Sequence, residues 1–233
     1  MYNKTNFMND LTIIYYSANT VSPYFFENTK KALLKAIGEI PLISVSHKPM
    51  DLGKNICVGD IGRSNINIYK QLLIGAKEAD TEYIATAEDD TLYHESHFKH
   101  RPAQGLFGYN INRWSLFTWS QPPIFSNRGR MTLNTLIAPR KLLIEALEER
   151  FAKYPKDEMI PLKFWGEVGR YEKYLGVTVQ LTEQFQSEMP IIMFNHPESL
   201  NYDQQGERKK LGDERLYSLP YWGKASEIVK LYQ

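Results

Sequence analysis

Between Leu11 and Ala87 apolar β-type runs alternate with helical periodicities, and few folds accommodate that order. The run LTIIYYSAN is β-branched and aromatic and breaks into small polar residues at Ser17, Ala18 and Asn19, the pattern of a buried strand ending in a loop. Ser22 and Pro23 supply an N-cap and a first-turn proline, and Phe26, Lys30, Leu33, Leu34 and Ile37 follow at near-helical spacing until Gly38. Pro41 precedes the run LISVS, and NICVG leads into DIGRSN. Ser64 caps a second helical stretch with Tyr69, Leu72, Leu73 and Ala76 on one face, which leads to YIATA. Strand, helix, strand, helix, strand predicts an α/β fold with a mostly parallel central sheet, and such sheets bind ligands beyond the carboxyl ends of their strands.

At 233 residues the chain can bury roughly 70% of its unfolded surface without staples. One domain is expected, with a Rossmann-like nucleotide-binding half over 10–95 and a less regular half over 96–200. A mobile segment and C-terminal helix would fill 201–233. In the second half, Leu106 to Phe125 reads as loops and short strands, MTLNTLIA as a strand, and Pro139 as the start of a helix. VTVQL and IIMF read as later strands, NYDQQGERKKLGDER as an exposed mobile stretch, and Ile228 to Tyr232 as a terminal helix. A formal charge of +1 gives no net pull toward nucleic acid or an acidic membrane. Cys57, the one cysteine, excludes an internal disulfide and reads as a buried apolar residue in a reducing compartment. The apolar stretch Leu11–Tyr16 is too short for a signal or a membrane span, so a cytoplasmic protein is expected.

The residues with most chemical content are Glu88, Asp89 and Asp90, at the carboxyl end of YIATA. Two carboxylates about 4 Å apart repel by roughly 4 kcal/mol at an effective dielectric of about 20, against about 1 kcal/mol in water. A hard divalent cation, Mn²⁺ or Mg²⁺, removes that cost and is typically shared with substrate phosphates. The bland alternative is an acidic surface turn. His196 follows the apolar run IIMF, so it and the triplet are expected at one sheet edge; imidazole is either a metal ligand or a structural group there. HESHFKH spaces His94, His97 and His100 by three, which on a helix spreads the rings too widely for one zinc ion.

The segment NICVGDIGRSNINIYKQLLIGAKEADTEYIATAEDDT resembles the donor half of family-two glycosyltransferases of the GT-A fold. In that family an Arg/Asn motif, here Arg63 and Asn65, opens a helix, and the following strand ends in a DxD-type acidic motif, here Glu88, Asp89 and Asp90. The resemblance implies that Asp90 holds Mn²⁺ or Mg²⁺ on the diphosphate of a nucleotide-sugar donor, with His196 completing the metal shell. Ser17, Asn19, Asp60, Arg63 and Asn65 would contact the donor, and Glu88 or Asp89 would contact ribose or metal. FWGEVGRYEKYLG resembles the acceptor-side GED motif, so Glu167 is the expected catalytic base. Val168, however, stands where relatives carry aspartate, which leaves Glu172, Asp203 or a retaining mechanism as alternatives. The acceptor would be a bacterial glycan or a modified base of phage DNA. Tyr109, Arg113, Trp114 and Trp119 are either acceptor-stacking groups or core. Competing functions are nucleotidyl or phosphoryl transfer and a non-catalytic nucleotide-sugar or carbohydrate-binding module.

Overall fold

A computed structural model of the chain describes residues 10–161, 164–199 and 211–232. The alternation is realised as β1 (Leu11–Ser17), α1 (Pro23–Ile37), β2 (Leu42–Ser46), β3 (Lys54–Cys57), α2 (Asn65–Glu78) and β4 (Tyr83–Glu88). Ser22 accepts the Phe25 amide at 3.2 Å and Ser64 the Asn67 amide at 3.3 Å, satisfying donors that a helix start leaves unpaired. Then come β5 (Thr91–Leu92), β6 (Leu106–Asn110), β7 (Arg113–Phe117), β8 (Phe125–Asn127), β9 (Leu136–Pro139), α3 (Arg140–Lys153) and α4 (Glu172–Leu175). β10 (Leu181–Phe185), β11 (Ile191–Asn195), β12 (Glu214–Leu216) and α5 (Ala225–Ile228), which a 3-10 turn over Val229–Leu231 extends, complete the described chain.

Two main sheets result. The first runs β10-β6-β9-β4-β1-β2-β3, with every neighbouring pair parallel except the two made by β9. The second runs β12-β8-β7-β11-β5, where only β7 and β11 are parallel. This is the expected α/β architecture, a mostly parallel central sheet with a regular first half and a less regular second half. Both faces of the first sheet are covered, so successive side chains of β1 enter different cores: Ile14 packs with Leu72 and Ala76 of α2, while Leu11, Ile13 and Tyr15 pack with Leu33 and Ile37 of α1. A third core joins Trp114, Leu116, Ile192 and Phe194 of the second sheet to Phe25 and Val229.

Gly75 shows how closely α2 approaches this sheet. A Cβ there would lie 2.4 Å from Cγ2 of Ile14 and 3.3 Å from Cγ2 of Val45. Gly75→Ala gains up to about 1 kcal/mol of helix propensity, but overpacking typically costs about 1–3 kcal/mol. A net loss of stability in urea denaturation is expected, and a stabilised variant would contradict this packing.

Three sequence expectations change. Cys57 is exposed, because β3 is the outermost strand of its sheet. MTLNTLIA is a strand only from Leu136; a 3-10 turn at Leu133–Thr135 precedes it, and the Asn134 carbonyl accepts from the Tyr93 hydroxyl at 3.0 Å instead of entering a ladder. The strand placed at VTVQL begins at Leu181, since the Thr178 amide and hydroxyl are taken by the Glu149 carboxylate at 2.9 and 3.1 Å. The core of the NYDQQGERKKLGDER stretch, Asp203 included, lies outside the described residues. No helix among the described residues is long and apolar enough to cross a membrane.

Candidate functional site

The acidic triplet and His196 meet because β5 and β11 pair. Thr91 lies opposite Met193 in that antiparallel ladder, and the Phe194 amide donates to the Asp90 carbonyl at 2.8 Å. His196, immediately after β11, is thereby carried to the end of β4. Its Nε2 lies 3.7 Å from Oδ2 of Asp90, and both residues are buried, at 1% and 8% exposure. Among the described residues that Nε2 makes no hydrogen bond, whereas Nδ1 lies 2.9 Å from Oε2 of Glu198.

The other two acids are held from β1. Tyr16 donates to Glu88 at 2.5 Å and Ser17 to Asp89 at 2.6 Å. Even so, burial first, and then the neighbouring Asp90 charge, push the Glu88 carboxyl up to about 8 and Asp89 up to about 6. His196 moves the other way from an isolated buried histidine: burial lowers its proton affinity, but Asp90 and Glu198 outweigh that and raise it. Arg113 lies buried beneath this group, against Met193 and 2.9 Å from Ser115 Oγ, and burial lowers it to about 10 against the pull of Asp90 and Glu88. The site thus gathers three desolvated carboxyl groups whose charges oppose one another.

These acids line an open cleft. The start of α2 and the loop before it also line it, with Arg63, Ser64, Asn65 and Asn67. Gly62 allows that loop to turn, adopting φ +80° while its amide donates to Asp60 Oδ1 at 3.0 Å. Of the residues singled out in the sequence, Ser17, Arg63, Asn65, Glu88, Asp89, Asp90 and His196 line the cleft. Asn19 and Asp60 stand outside the lining: Asn19 accepts the Lys48 amide at 2.8 Å, and the exposed Asp60 carboxylate tightens the Gly62 turn and lies 3.7 Å from Nδ1 of His47.

Glu167 also lies outside the lining, paired with Arg170 at 2.9 Å. Its charge raises the proton affinity of Tyr69 and Arg113, as does that of Glu88. Val168 is fully buried, and its carbonyl accepts from Tyr109 at 2.9 Å; an aspartate at that position would enter the core. Glu172, an alternative base in the sequence reading, is buried in an ion pair with Arg150 at 3.0 Å and accepts the Gly169 amide at 2.8 Å, which ties it to the fold. Tyr109, Arg113 and Trp114 are buried, in favour of core packing, and Trp119 sits edge-on to Phe117. The three histidines of HESHFKH diverge: His94 contacts Tyr221, His97 is buried, and His100 stacks on Phe185.

Among the described residues no group of three His, Cys, Asp or Glu side chains is gathered to hold a metal ion. Asp90 and His196 nevertheless offer a carboxylate oxygen and an imidazole nitrogen to one another. With the ring neutral, a carboxylate oxygen and an imidazole nitrogen 3.7 Å apart in a buried place would fit a cation that takes its remaining ligands from substrate phosphates; with the ring protonated the same two groups form an ion pair.

No family model matches the chain, and no curated protein matches it. Among solved structures it is similar to a nucleotidyl transferase from Methanothermobacter thermautotroptrophicus, at 16% identity over 60% of this chain and 76% of that one, with a TM-score of 0.39. It is also similar to a glycosyltransferase involved in glycosylation of the major capsid of PBCV-1, at 8% identity over 78% and 92%, TM-score 0.47. A third is S. aureus TarS 1-349 in complex with UDP, at 11% identity over 83% and 62%, TM-score 0.42.

Sequence reasoning missed several residues that shape the cleft. Gln71 donates to the carbonyls of Ser17 and Val45 at 3.0 and 2.8 Å, tying the ends of β1 and β2 together. A glutamine beside Leu72 on the buried side of α2 was its available signal. Tyr16 carried one too, as a hydroxyl at the end of a buried strand. Glu198 and Tyr232 carried none, since their partners lie across the fold.

Proposed function

We propose that the cleft is the donor site of a metal-dependent glycosyltransferase of the GT-A type, which takes its sugar from a nucleotide-diphosphate sugar. The observation that carries this reading is the facing pair of Asp90 and His196 Nε2, which lines one cleft together with residues at the start of α2. A diphosphate would be favoured there: helix N-termini favour anions, and Arg63 and Asn65 add donors to the same lining. Asp90 and His196 would hold Mn²⁺ or Mg²⁺, which when bound supplies Lewis-acid charge to the departing diphosphate.

The rest falls to the chain's own side chains. Tyr16 and Ser17 fix Glu88 and Asp89 along one side of the cleft, within reach of ribose or metal-bound groups. Glu167 is the assigned base on the acceptor side, where it would take the proton of the attacking hydroxyl in an inverting displacement. Arg170 holds that carboxylate until the acceptor arrives.

Incubating the protein with a panel of nucleotide-diphosphate sugars and Mn²⁺ is expected to release nucleoside diphosphate from one of them, and to raise the melting temperature with that donor. Pyrophosphate release from nucleoside triphosphates, with no diphosphate from any sugar donor, would replace this reading with nucleotidyl transfer. Binding without turnover of any donor or triphosphate would replace it with a binding module.

A further inference from the structure

His196 is held by groups that come from distant parts of the chain. Its Nδ1 lies 2.9 Å from Oε2 of Glu198, and the same oxygen accepts from the Tyr232 hydroxyl at 2.6 Å. The Glu198 carbonyl is engaged as well, by the Arg63 guanidinium. Tyr232 is fixed in turn. Its ring stands edge-on to Phe25 at 5.1 Å and lies 5.5 Å from the His196 ring, while the neighbouring backbone is fastened to α1 by Asn28, which donates to the Leu231 carbonyl at 3.0 Å.

A carboxylate accepts hydrogen bonds and does not donate them, so when the ring gives up one proton to take a cation, contact with Glu198 keeps the remaining proton on Nδ1. Nε2 then carries the free lone pair; it is buried, makes no hydrogen bond among the described residues, and lies 3.7 Å from Asp90. A neutral ring that is flipped or in the other tautomer would present its N–H to Asp90 and close the place to a cation. We infer that Glu198 and Tyr232 are positioning residues, which hold His196 in the orientation and tautomer that turn its lone pair toward Asp90. This rests on the reading of His196 as a metal ligand.

The test uses the full chain with Mn²⁺ alone as the probe, its affinity read by electron paramagnetic resonance. A second readout, the ring ¹⁵N shifts of His196 in metal-free protein at a pH high enough for the ring to be neutral, reports the tautomer, which a merely structural role would not move. Glu198→Ala is expected to weaken Mn²⁺ binding by about 10-fold or more, the usual cost of losing such an outer partner, and to mix the tautomers. Glu198→Gln keeps an acceptor oxygen and is expected to restore both to within about threefold of the parent. Tyr232→Phe keeps the ring packing, which protects the test from a folding failure, and is expected to weaken Mn²⁺ binding while shifting the tautomer balance. If His196→Ala weakens Mn²⁺ binding while Glu198→Ala and Tyr232→Phe leave affinity and tautomer unchanged, the positioning role is wrong and the ligand reading stands. If His196→Ala leaves Mn²⁺ affinity untouched, the ligand reading fails and this inference falls with it.

Discussion

Asp90→Asn is expected to lower turnover of the sugar donor by about 10²-fold or more while leaving the metal-free protein at least as stable as its parent. The loss follows from removing one of two groups that face each other across the proposed cation position; charge stabilisation of a leaving group of this kind is worth several kcal/mol, and each 1.4 kcal/mol is about tenfold in rate. The gain in stability has a separate origin. Asp90 is the strongest charged influence raising both Glu88 and Asp89, so a neutral amide relieves two unfavourable interactions, at the cost of the attraction of Asp90 for His196 and for Arg113. Asparagine has the same shape and retains an oxygen to accept from Thr91, which now donates to Asp90 at 2.9 Å. Opposite movements of activity and stability would mark the carboxylate as placed for function at a cost to folding. Thermal melts in a chelator and Mn²⁺-dependent turnover measure the two sides; a variant with parental turnover would remove Asp90 from the chemistry.

That site was legible in the sequence where its parts lie on one continuous element. Ser64, the loop before α2 and the Glu88–Asp90 triplet follow one another through local rules, a cap, a helical period and a strand end, and each rule acts within a few residues. The meeting of His196 with Asp90 was readable as an expectation because IIMF is an obvious strand, but the pairing that enforces it joins Thr91 to Met193 across a hundred residues of chain. Nothing local encodes such a partner. The same reason hid Tyr232, whose hydroxyl meets Glu198 only after the 229–232 turn docks on α1. Val168, legible in the sequence as a departure from the GED motif, lies in the core, with its carbonyl accepting from the Tyr109 hydroxyl. Cys57 was misjudged through composition alone: cysteine is usually buried, but β3 is an edge strand, and an edge exposes what a central strand would cover.

His97 is expected to dominate the acid limb of stability. The ring is fully buried between Phe98, Tyr93 and Phe185, and burial first, then the nearby His100 charge, lowers its proton affinity to about 3. Its Nδ1 lies 3.2 Å from the Asn110 amide group, and among the described residues Nε2 makes no hydrogen bond that would favour the charged ring. In the unfolded chain a histidine takes up its proton near pH 6.5. Between about 6.5 and about 3 the unfolded state therefore binds one more proton than the folded state, and stability falls as pH falls, by about 1.4 kcal/mol per unit and on the order of 4 kcal/mol across the window. Above 6.5 both states are neutral at this position and the contribution is complete. The raised carboxyls of Glu88 and Asp89 act in the opposite sense, so the informative quantity is the difference between parent and variant at each pH. His97→Phe keeps a ring for the three aromatic contacts and removes the unpartnered nitrogen, while Asn110 retains its hydrogen bond to Ser187 at 2.7 Å. Urea denaturation from pH 4 to 8 is expected to give similar stabilities for the two proteins at pH 7.5 and a widening advantage for the variant toward pH 4. Parallel curves over that range would mean that the buried ring already finds room for its proton.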